Sequence, residues 1–167
     1  MRDEQEVNRA IETYGDMVRR LCMIHLKNEA DTEDIFQNVF LKYALRDAAF
    51  ESEAHQRAWL IRVTVNACKD LLRSFFRRNT VPLEEAVNKA VEPYGEAGEV
   101  LRAVLSLPEQ YRQVVYLHYY EGYTAPEIGR MLGKNPNTVY TLLTRARERL
   151  RKTLGGEENG GADSAGL

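Results

Sequence analysis

Four cations and one amide recur at intervals of three and four residues in the middle of the chain: Arg62, Asn66, Lys69, Arg73 and Arg77. This spacing puts them on one face of an α-helix as a narrow basic stripe. Charged helix faces commonly mix both signs, and here only Asp70 is acidic. Trp59 stands at the head of the stripe, and bases stack on such a ring while cations follow the phosphates. The pattern therefore indicates binding to single-stranded nucleic acid, with a merely solvated helix face as the alternative.

A second constellation lies near the C-terminus, on two short predicted helices. Thr124 and Glu127 have the spacing of a capping box, so a helix should begin directly after Thr124. Gly133 can end that helix in the left-handed conformation. Asn135 and Pro136 then suit the cap and the first position of another helix. Two helices joined by a three-residue turn predict a helix-turn-helix, a motif that binds duplex DNA.

The second of these helices has one apolar and one polar side. At about 100° per residue, five apolar residues form a single stripe: Val139, Leu142, Leu143, Ala146 and Leu150. Asn137, Thr141 and Thr144 fall opposite that stripe, and Tyr140 and Arg145 flank them. Small polar groups followed by arginine suit a recognition helix, which contacts base edges with its first turns and phosphates with its cations. A helical hairpin with a purely structural role is the alternative.

Charge is unevenly distributed along the chain. The formal net charge is only −2. Residues 51–80 nevertheless contain six Lys or Arg against three Asp or Glu, and residues 128–154 contain seven against one. Because attraction to phosphate is screened over about 8–10 Å in physiological salt, the local charge matters more than the total. Both basic segments coincide with the two constellations above.

An acidic run, Asp31–Asp34, opens a third notable helix, where the helix dipole favours negative charge, and Asp31 is the predicted cap. Its core face is expected to consist of Ile35, Phe36, Val39, Phe40 and Tyr43. Outside that face lies a mixed group: Asp34, Gln37, Asn38, Leu41 and Leu45. A second face of this kind indicates a protein partner. Packing of Leu41 and Leu45 on the helix of residues 5–27 is equally compatible with the pattern.

Helical periodicity extends along most of the chain without any period-two strand pattern, so the predicted fold class is all-α. The helix that carries the basic stripe is expected over Ala58–Arg77. Glycine and proline are sparse up to Arg78, an acidic aperiodic stretch follows, and the end of the chain is glycine-rich and acidic. We predict two small helical domains, residues 1–78 and 97–154, joined by a flexible linker, residues 79–96. A disordered tail, residues 155–167, follows the second domain.

Other functional classes lack support. Cys22 and Cys68 have no second ligand at metal spacing, so they are expected to be buried free thiols and no metal is expected. The three histidines, His25, His55 and His118, lack a neighbouring nucleophile or carboxylate in a recognisable arrangement, and no phosphate-binding glycine loop is present. An enzyme or a cofactor is therefore not expected. Without a signal peptide or a long apolar run, no membrane insertion is expected and the predicted location is the cytoplasm.

The order and spacing of several blocks resemble an extracytoplasmic-function (ECF) sigma factor of bacterial RNA polymerase, over essentially the whole chain up to Leu154. The blocks are Asp31–Lys42, Ala58–Val63 with Asn66, Asp70–Arg73, Leu107–Arg112, Glu121–Tyr123, Thr138–Val139 and Arg145–Arg147. The resemblance implies sigma region 2 at the N-terminus and region 4 at the C-terminus, with no region 3 between them. Core RNA polymerase and promoter DNA, both duplex and single-stranded, would be the partners, and an anti-sigma factor is expected as well.

The resemblance also implies roles for the residues of the N-terminal domain. The helix from Asp34 to Leu45 would bind the clamp helices of the polymerase β′ subunit through four residues: Asp34, Gln37, Asn38 and Leu41. The melted strand of the minus-ten promoter element would be held by seven residues: Phe50, His55, Trp59, Arg62, Asn66, Lys69 and Arg73. The loop 48–56 would form the pocket for a flipped base.

In the C-terminal domain, the recognition helix would bind the duplex of the minus-thirty-five element while its apolar back docks on the β-subunit flap. The implied DNA-binding residues are Lys134, Asn137, Thr138, Tyr140, Thr141 and Arg145. The chain departs from the family pattern at Tyr140 and Leu142, where relatives commonly carry cations. Readout would then depend on Asn137, Thr141 and Arg145, and the usual upstream sequence should not be assumed.

Two other hypotheses remain from the residues alone. A free-standing helix-turn-helix regulator would bind duplex DNA tightly without polymerase, and its affinity would depend strongly on salt. An adaptor would contact only protein, and its activities would not need the basic stripe.

Overall fold

The computed structural model describes residues 1–79 and 98–155, and every regular element within them is helical. The predicted all-α class is thus confirmed. The chain divides into an N-terminal and a C-terminal unit. The N-terminal unit contains α1 (Glu4–Leu26), α2 (Glu29–Leu45) and α3 (Glu53–Asn79). The C-terminal unit contains α4 (Gly98–Leu105), α5 (Glu109–Val115) with a π-helical turn (Tyr116–Tyr120), α6 (Ala125–Leu132) and α7 (Pro136–Gly155).

The core of the N-terminal unit forms where α1 packs against both α2 and α3, which also pack on each other. All three helices contribute side chains with almost no exposed surface: Val18, Leu21, Cys22, Val39, Leu60, Ile61, Val65 and Cys68. The two cysteines are free and buried, as predicted. Such burial removes apolar surface from water and contributes about 1.5–3 kcal/mol for each large aliphatic side chain.

The predicted cap of α2 is wrong. The cap is Asn28, whose side-chain oxygen accepts from the backbone N–H of Asp31 at 2.9 Å, and α2 begins at Glu29. The reason lies in the preceding residue, since Lys27, which directly follows α1, adopts the left-handed conformation (φ 55°), and the chain turns there into the next cap. Asp31 lies inside the helix, where burial, followed by the charge of Asp34, raises the pKa of its carboxyl group.

The helix that carries the basic stripe begins earlier than expected. It starts at Glu53 rather than Ala58, because the hydroxyl of Ser52 accepts from the backbone N–H of His55 at 3.0 Å. The backbone carbonyl of Ser52 also accepts from the N–H of Gln56 at 3.0 Å. The connection from α2 is therefore confined to residues 46–52, and the second half of the predicted loop 48–56 is helical.

The helix-turn-helix is confirmed in its local details. Thr124 and Glu127 form both hydrogen bonds of a capping box ahead of α6, and Gly133 ends that helix at φ 69°. The side-chain oxygen of Asn135 accepts from the backbone N–H of Asn137 at 2.8 Å, and α7 begins at Pro136. The predicted apolar stripe of α7 is buried throughout: Val139, Leu142, Leu143, Ala146 and Leu150.

Buried polar residues of α5 and a glycine of α6 were not anticipated. Arg112 and Gln113 are almost completely buried, and Nη1 of Arg112 donates to the carbonyl oxygen of Leu107 at 2.7 Å. Burial lowers the pKa of Arg112 to about 10, so the side chain stays charged at neutral pH. Gly129 allows the backbone of the turn to approach α6, because a Cβ atom there would lie 2.5 Å from the carbonyl oxygen of Lys134.

The predicted linker and tail lie outside the described residues, apart from Asn79 and Gly155, the last residues of α3 and α7. Those two predictions therefore stand untested. Among the described helices, none is long and apolar enough to cross a membrane.

Replacing Gly129 with alanine should destabilise the C-terminal unit. The added Cβ atom would overlap a backbone oxygen that no side-chain rotation can move. We expect a loss of about 1–3 kcal/mol in the free energy of unfolding, measured by thermal denaturation of the full chain. The matched control is Gly155→Ala, where an added Cβ meets nothing within 4 Å. Equal melting temperatures for the two variants would contradict the close approach.

The capping box should make α6 sensitive to acid. Hydrogen bonds donated by the backbone N–H and then the hydroxyl of Thr124 lower the pKa of Glu127. A carboxyl group whose pKa is lowered by folding stabilises the folded state above its ordinary pKa, and that contribution disappears as the pH falls through the lowered value. Glu127→Gln should therefore flatten the acid limb of the stability curve of the C-terminal unit, followed by helical circular dichroism. An unchanged acid limb would show that the box contributes nothing.

Candidate nucleic-acid interface

The outer face of α2 is open to solvent. Asp34, Gln37 and Asn38 are exposed, and the side chains of Leu41 and Leu45 are 57% and 56% exposed. The predicted core face of the same helix is buried, and it consists of Ile35, Phe36, Val39, Phe40 and Tyr43. Packing of Leu41 and Leu45 on α1 is therefore excluded. The mixed apolar and polar face is left available for a partner.

Aromatic rings gather where α3 begins. Phe50 stacks on Tyr43 at 6.0 Å between centroids, with 12° between the ring planes, and meets His55 and Trp59 edge-on at 5.3 and 5.6 Å. The guanidinium of Arg46 lies 4.3 Å from the centroid of Phe50 and 5.4 Å from that of Trp59. We call these five residues the aromatic cluster. The structure thus brings together the predicted Phe50, His55 and Trp59, with two residues that were not predicted for this role.

The first residues of the chain hold the loop that carries Phe50. The backbone N–H of Arg2 donates to the carbonyl oxygen of Ala44, and its Nη2 atom donates to that of Ala48, both at 2.8 Å. The guanidinium of Arg2 also lies 4.8 Å from the ring centroid of Tyr43 and 5.0 Å from that of Phe50. The amino group of Met1 pairs with Asp47 at 2.6 Å. These contacts join residues more than 40 positions apart, so sequence periodicity carries no signal for them.

The predicted basic stripe continues from the cluster along α3. Arg62 and Lys69 are half-buried, while Asn66 and Arg73 are exposed. Arg73 also contacts Asp70 at 3.4 Å, an exposed ion pair of little energetic weight. At about 1.5 Å per residue, the stripe from Trp59 to Arg73 extends about 21 Å. The side chain of the fifth predicted member, Arg77, lies outside the described residues.

An open groove of about 410 Å³ borders the aromatic cluster. Its wall includes the rings of Tyr43 and Phe50, and Arg2 and Gln56 supply polar groups. The hydroxyl of Tyr43 donates to Oε1 of Gln56 at 2.6 Å, which fixes the amide. Ring faces beside hydrogen-bonding groups and a cation are the elements that bind an unstacked nucleobase.

In the C-terminal unit, α7 presents the predicted recognition face to solvent. Asn137, Thr138, Thr141 and Arg145 are exposed, and Tyr140 is 55% exposed. Lys134, in the turn before α7, is half-buried. All the predicted duplex-binding residues thus lie on the turn or on the exposed part of α7, away from its buried stripe.

Some cations of α7 also anchor the helix. Nη1 of Arg147 donates to the hydroxyl of Tyr119 at 3.1 Å, and the guanidinium of Arg149 lies 4.9 Å from the ring centroid of Tyr111. The recognition face is thereby fixed to α5 and to the π-helical turn. In the described ranges, no group of three or more His, Cys, Asp or Glu side chains could hold a metal ion.

Comparison with known families identifies both units. The family model for Sigma-70 region 2 matches residues 10–78, and that for Sigma-70, region 4 matches residues 97–150. The ECF RNA polymerase sigma factor SigM of Mycobacterium tuberculosis is 30% identical over 155 residues, which cover 92% of this chain and 79% of SigM. The ECF RNA polymerase sigma factor SigW of Bacillus subtilis is 27% identical over 161 residues, covering 86% of each chain.

Solved structures agree in fold. The sigma factor RpoE from Bartonella quintana, in complex with the anti-sigma factor NepR, matches with a TM-score of 0.72 over 92% of this chain and 99% of that chain. CnrH, in complex with the cytosolic domain of CnrY, matches with a TM-score of 0.64 over 93% and 91%. The sequence identities are 17% and 24%, so these two structures show a similarity of fold alone.

Replacing Arg2 with alanine should loosen the loop that carries Phe50. The change removes the hydrogen bond to Ala48 and the cation from two rings, while the backbone bond to Ala44 remains. We expect faster hydrogen exchange in residues 46–52 and a change in the fluorescence of Trp59, the single tryptophan. Arg2→Lys should not restore either property, because an ammonium lacks the planar guanidinium.

Arg9→Ala is the matched control, since it removes an exposed cation from the same end of α1. If residues 46–52 exchange hydrogen at the same rate in Arg2→Ala and Arg9→Ala, the N-terminal contacts do not hold the loop.

Proposed function

The chain belongs to the ECF sigma factors of bacterial RNA polymerase, and on that premise we propose how its two units divide the work of promoter recognition. As an alternative sigma factor it directs RNA polymerase to promoters, and its family are transcription initiation factors rather than classical enzymes. One observation carries the proposal. In the N-terminal unit, Trp59 at the head of the basic stripe contacts both Phe50 of the loop 46–52 and the guanidinium of Arg46, so the aromatic cluster adjoins the start of the stripe on α3.

The outer face of α2 binds the core enzyme. Leu41 and Leu45 supply exposed apolar area, and Asp34, Gln37 and Asn38 surround it with polar groups. Apolar anchors within a polar rim are the usual anatomy of a protein interface. The clamp helices of the β′ subunit are the proposed binding partner, as expected for a sigma region 2.

The aromatic cluster and the stripe capture the melted strand of the minus-ten element. Unstacking a base costs a few kcal/mol, and stacking on an aromatic side chain returns about 1–3 kcal/mol per base. Trp59, Phe50 and His55 supply the rings, and the groove beside Phe50 receives the flipped base. Arg62, Asn66, Lys69 and Arg73 contact the backbone of the strand that leads away from it.

In the C-terminal unit, α7 binds the minus-thirty-five element as duplex DNA. Its first turns present Asn137, Thr138, Tyr140 and Thr141 to base edges, and Lys134 and Arg145 lie at either end for phosphates. The β-subunit flap is the proposed protein partner of this unit. We also propose regulation by an anti-sigma factor, as in the solved complex of RpoE with NepR, and action in the bacterial cytoplasm, where the polymerase works.

Removing the cations of the stripe should prevent promoter opening and leave core binding intact. The variant Arg62→Ala with Lys69→Ala keeps the outer face of α2 but loses two phosphate contacts. We expect at least a tenfold drop in open complexes, measured by permanganate reactivity of unpaired thymines, because each charge-assisted contact contributes about 1.5–3 kcal/mol. Arg19→Ala, which removes a cation from α1 near Glu33, should behave like the unaltered protein.

A complementary variant separates binding from opening. Leu41→Asp places a charge in the proposed interface, so it should abolish association with core polymerase while duplex binding by the C-terminal unit persists. Strong duplex binding by the chain alone, together with no initiation on any promoter when core enzyme is added, would favour the free-standing regulator. Full activity of Arg62→Ala with Lys69→Ala would favour an adaptor.

A further inference from the structure

The part of α7 that enters the duplex first carries no charge. From Pro136 to Thr144 there is no Asp, Glu, Lys or Arg, and the first cation of the helix is Arg145. Apart from Pro136, the exposed side chains of this segment are neutral amide, hydroxyl and aromatic groups: Asn137, Thr138, Tyr140, Thr141 and Thr144. Within this segment, the groups available for base readout are therefore one amide, three threonines and one phenol.

Local hydrogen bonds restrict what these groups can offer. Oγ1 of Thr141 donates to the carbonyl oxygen of Asn137 at 3.0 Å, so its hydroxyl hydrogen is used within the helix and its methyl group remains. The backbone N–H of Asn137 is satisfied by Asn135. In the described residues, neither the side-chain amide of Asn137 nor the hydroxyl of Tyr140 makes a hydrogen bond. Both groups are free to meet a base.

Each base pair presents a distinct pattern in the major groove. Guanine offers two acceptors, which Arg or Lys donors match, and cytosine offers an amino donor, which Asp or Glu accepts. Adenine offers an acceptor and a donor together, which an Asn side chain matches with two hydrogen bonds. Thymine offers its C5 methyl group to apolar contacts such as an aromatic ring or a threonine methyl. The neutral segment of α7 lacks the charged side chains that pair best with guanine and cytosine, and it has an amide and an aromatic ring, which suit adenine and thymine.

We propose that Asn137 and Tyr140 are specificity determinants for A·T pairs in the upstream element. Asn137 binds the N6 and N7 atoms of an adenine, and the ring of Tyr140 packs on the C5 methyl group of a thymine. The two residues are three positions apart, so they are neighbours on one helix face and reach the same or adjacent base pairs. This assignment rests on the proposed function, because it requires α7 to lie in the major groove.

The test uses holoenzyme assembled from bacterial core polymerase and the full chain. Promoters are selected by initiation from a DNA pool randomised in both elements. In the best promoter, each upstream thymine is then replaced singly by uracil, which removes only the methyl group, and each adenine by 7-deazaadenine, which removes only N7. We expect one uracil to weaken holoenzyme binding about fourfold, the effect of one buried methyl group. One 7-deazaadenine should weaken it at least about fivefold.

Variants assign each effect to a residue. Tyr140→Ala should bind thymine and uracil promoters equally, whereas Tyr140→Phe should keep the difference. Asn137→Ala should lose its sensitivity to 7-deazaadenine and keep its sensitivity to uracil. Tyr140→Arg should shift selection at its position towards G·C. Lys134→Ala is the contrast, because loss of a phosphate contact weakens binding to all sequences alike.

The outcomes separate the inference from the proposed function. Initiation that is indifferent to every uracil and every 7-deazaadenine, or selection of G·C at the positions sensitive to Tyr140, would overturn the inference while leaving the sigma function intact. No initiation from any member of the pool would overturn both.

Discussion

The N-terminal unit depends on the packing of α1 against both α2 and α3. Each of the three helices has one apolar side, and packing the helices together buries all three apolar sides in a common core. Because the apolar sides are buried in this core, the other faces of α2 and α3 are left accessible to solvent. The mixed face around Leu41 and the stripe from Arg62 to Arg73 are thus presented by the same rigid scaffold. The surface proposed to bind polymerase and the surface proposed to bind a DNA strand are consequences of one core.

The loop between α2 and α3 is held by a different kind of interaction. Arg2 and Arg46 lie against aromatic rings, and the Nε atom of each is buried without a hydrogen-bond partner in the described residues. An unsatisfied buried donor costs about 1–3 kcal/mol, and a desolvated cation–π contact returns about as much. For these two side chains the cost and the gain nearly balance. The loop, which is proposed to admit a base, is held in addition by the hydrogen bonds of Arg2 to Ala44 and Ala48.

The two units differ in how far sequence determines them. In the C-terminal unit, the capping box, the left-handed Gly133 and the start at Pro136 are contacts between residues two to four positions apart, so the pattern predicted them correctly. In the N-terminal unit the starts of α2 and α3 were misplaced. Asn28 competes as a cap with Asp31, and the capping residue Ser52 lies several residues before the stripe from which α3 was predicted. Burial of Arg112 and the need for Gly129 also escaped prediction, since both depend on the backbone of a turn outside their own helix.

The sequence by itself determined the all-α class, the helix-turn-helix, the basic stripe and the family, because these features are written in spacings of three and four residues and in the order of short blocks. Tertiary structure decided that Leu41 and Leu45 face solvent, that Phe50, His55 and Trp59 meet in one cluster, and that Arg2 and Arg46 join them. The physical reason is distance along the chain. Periodicity records which residues share a face of one helix, whereas only packing fixes which faces and loops of different helices come together.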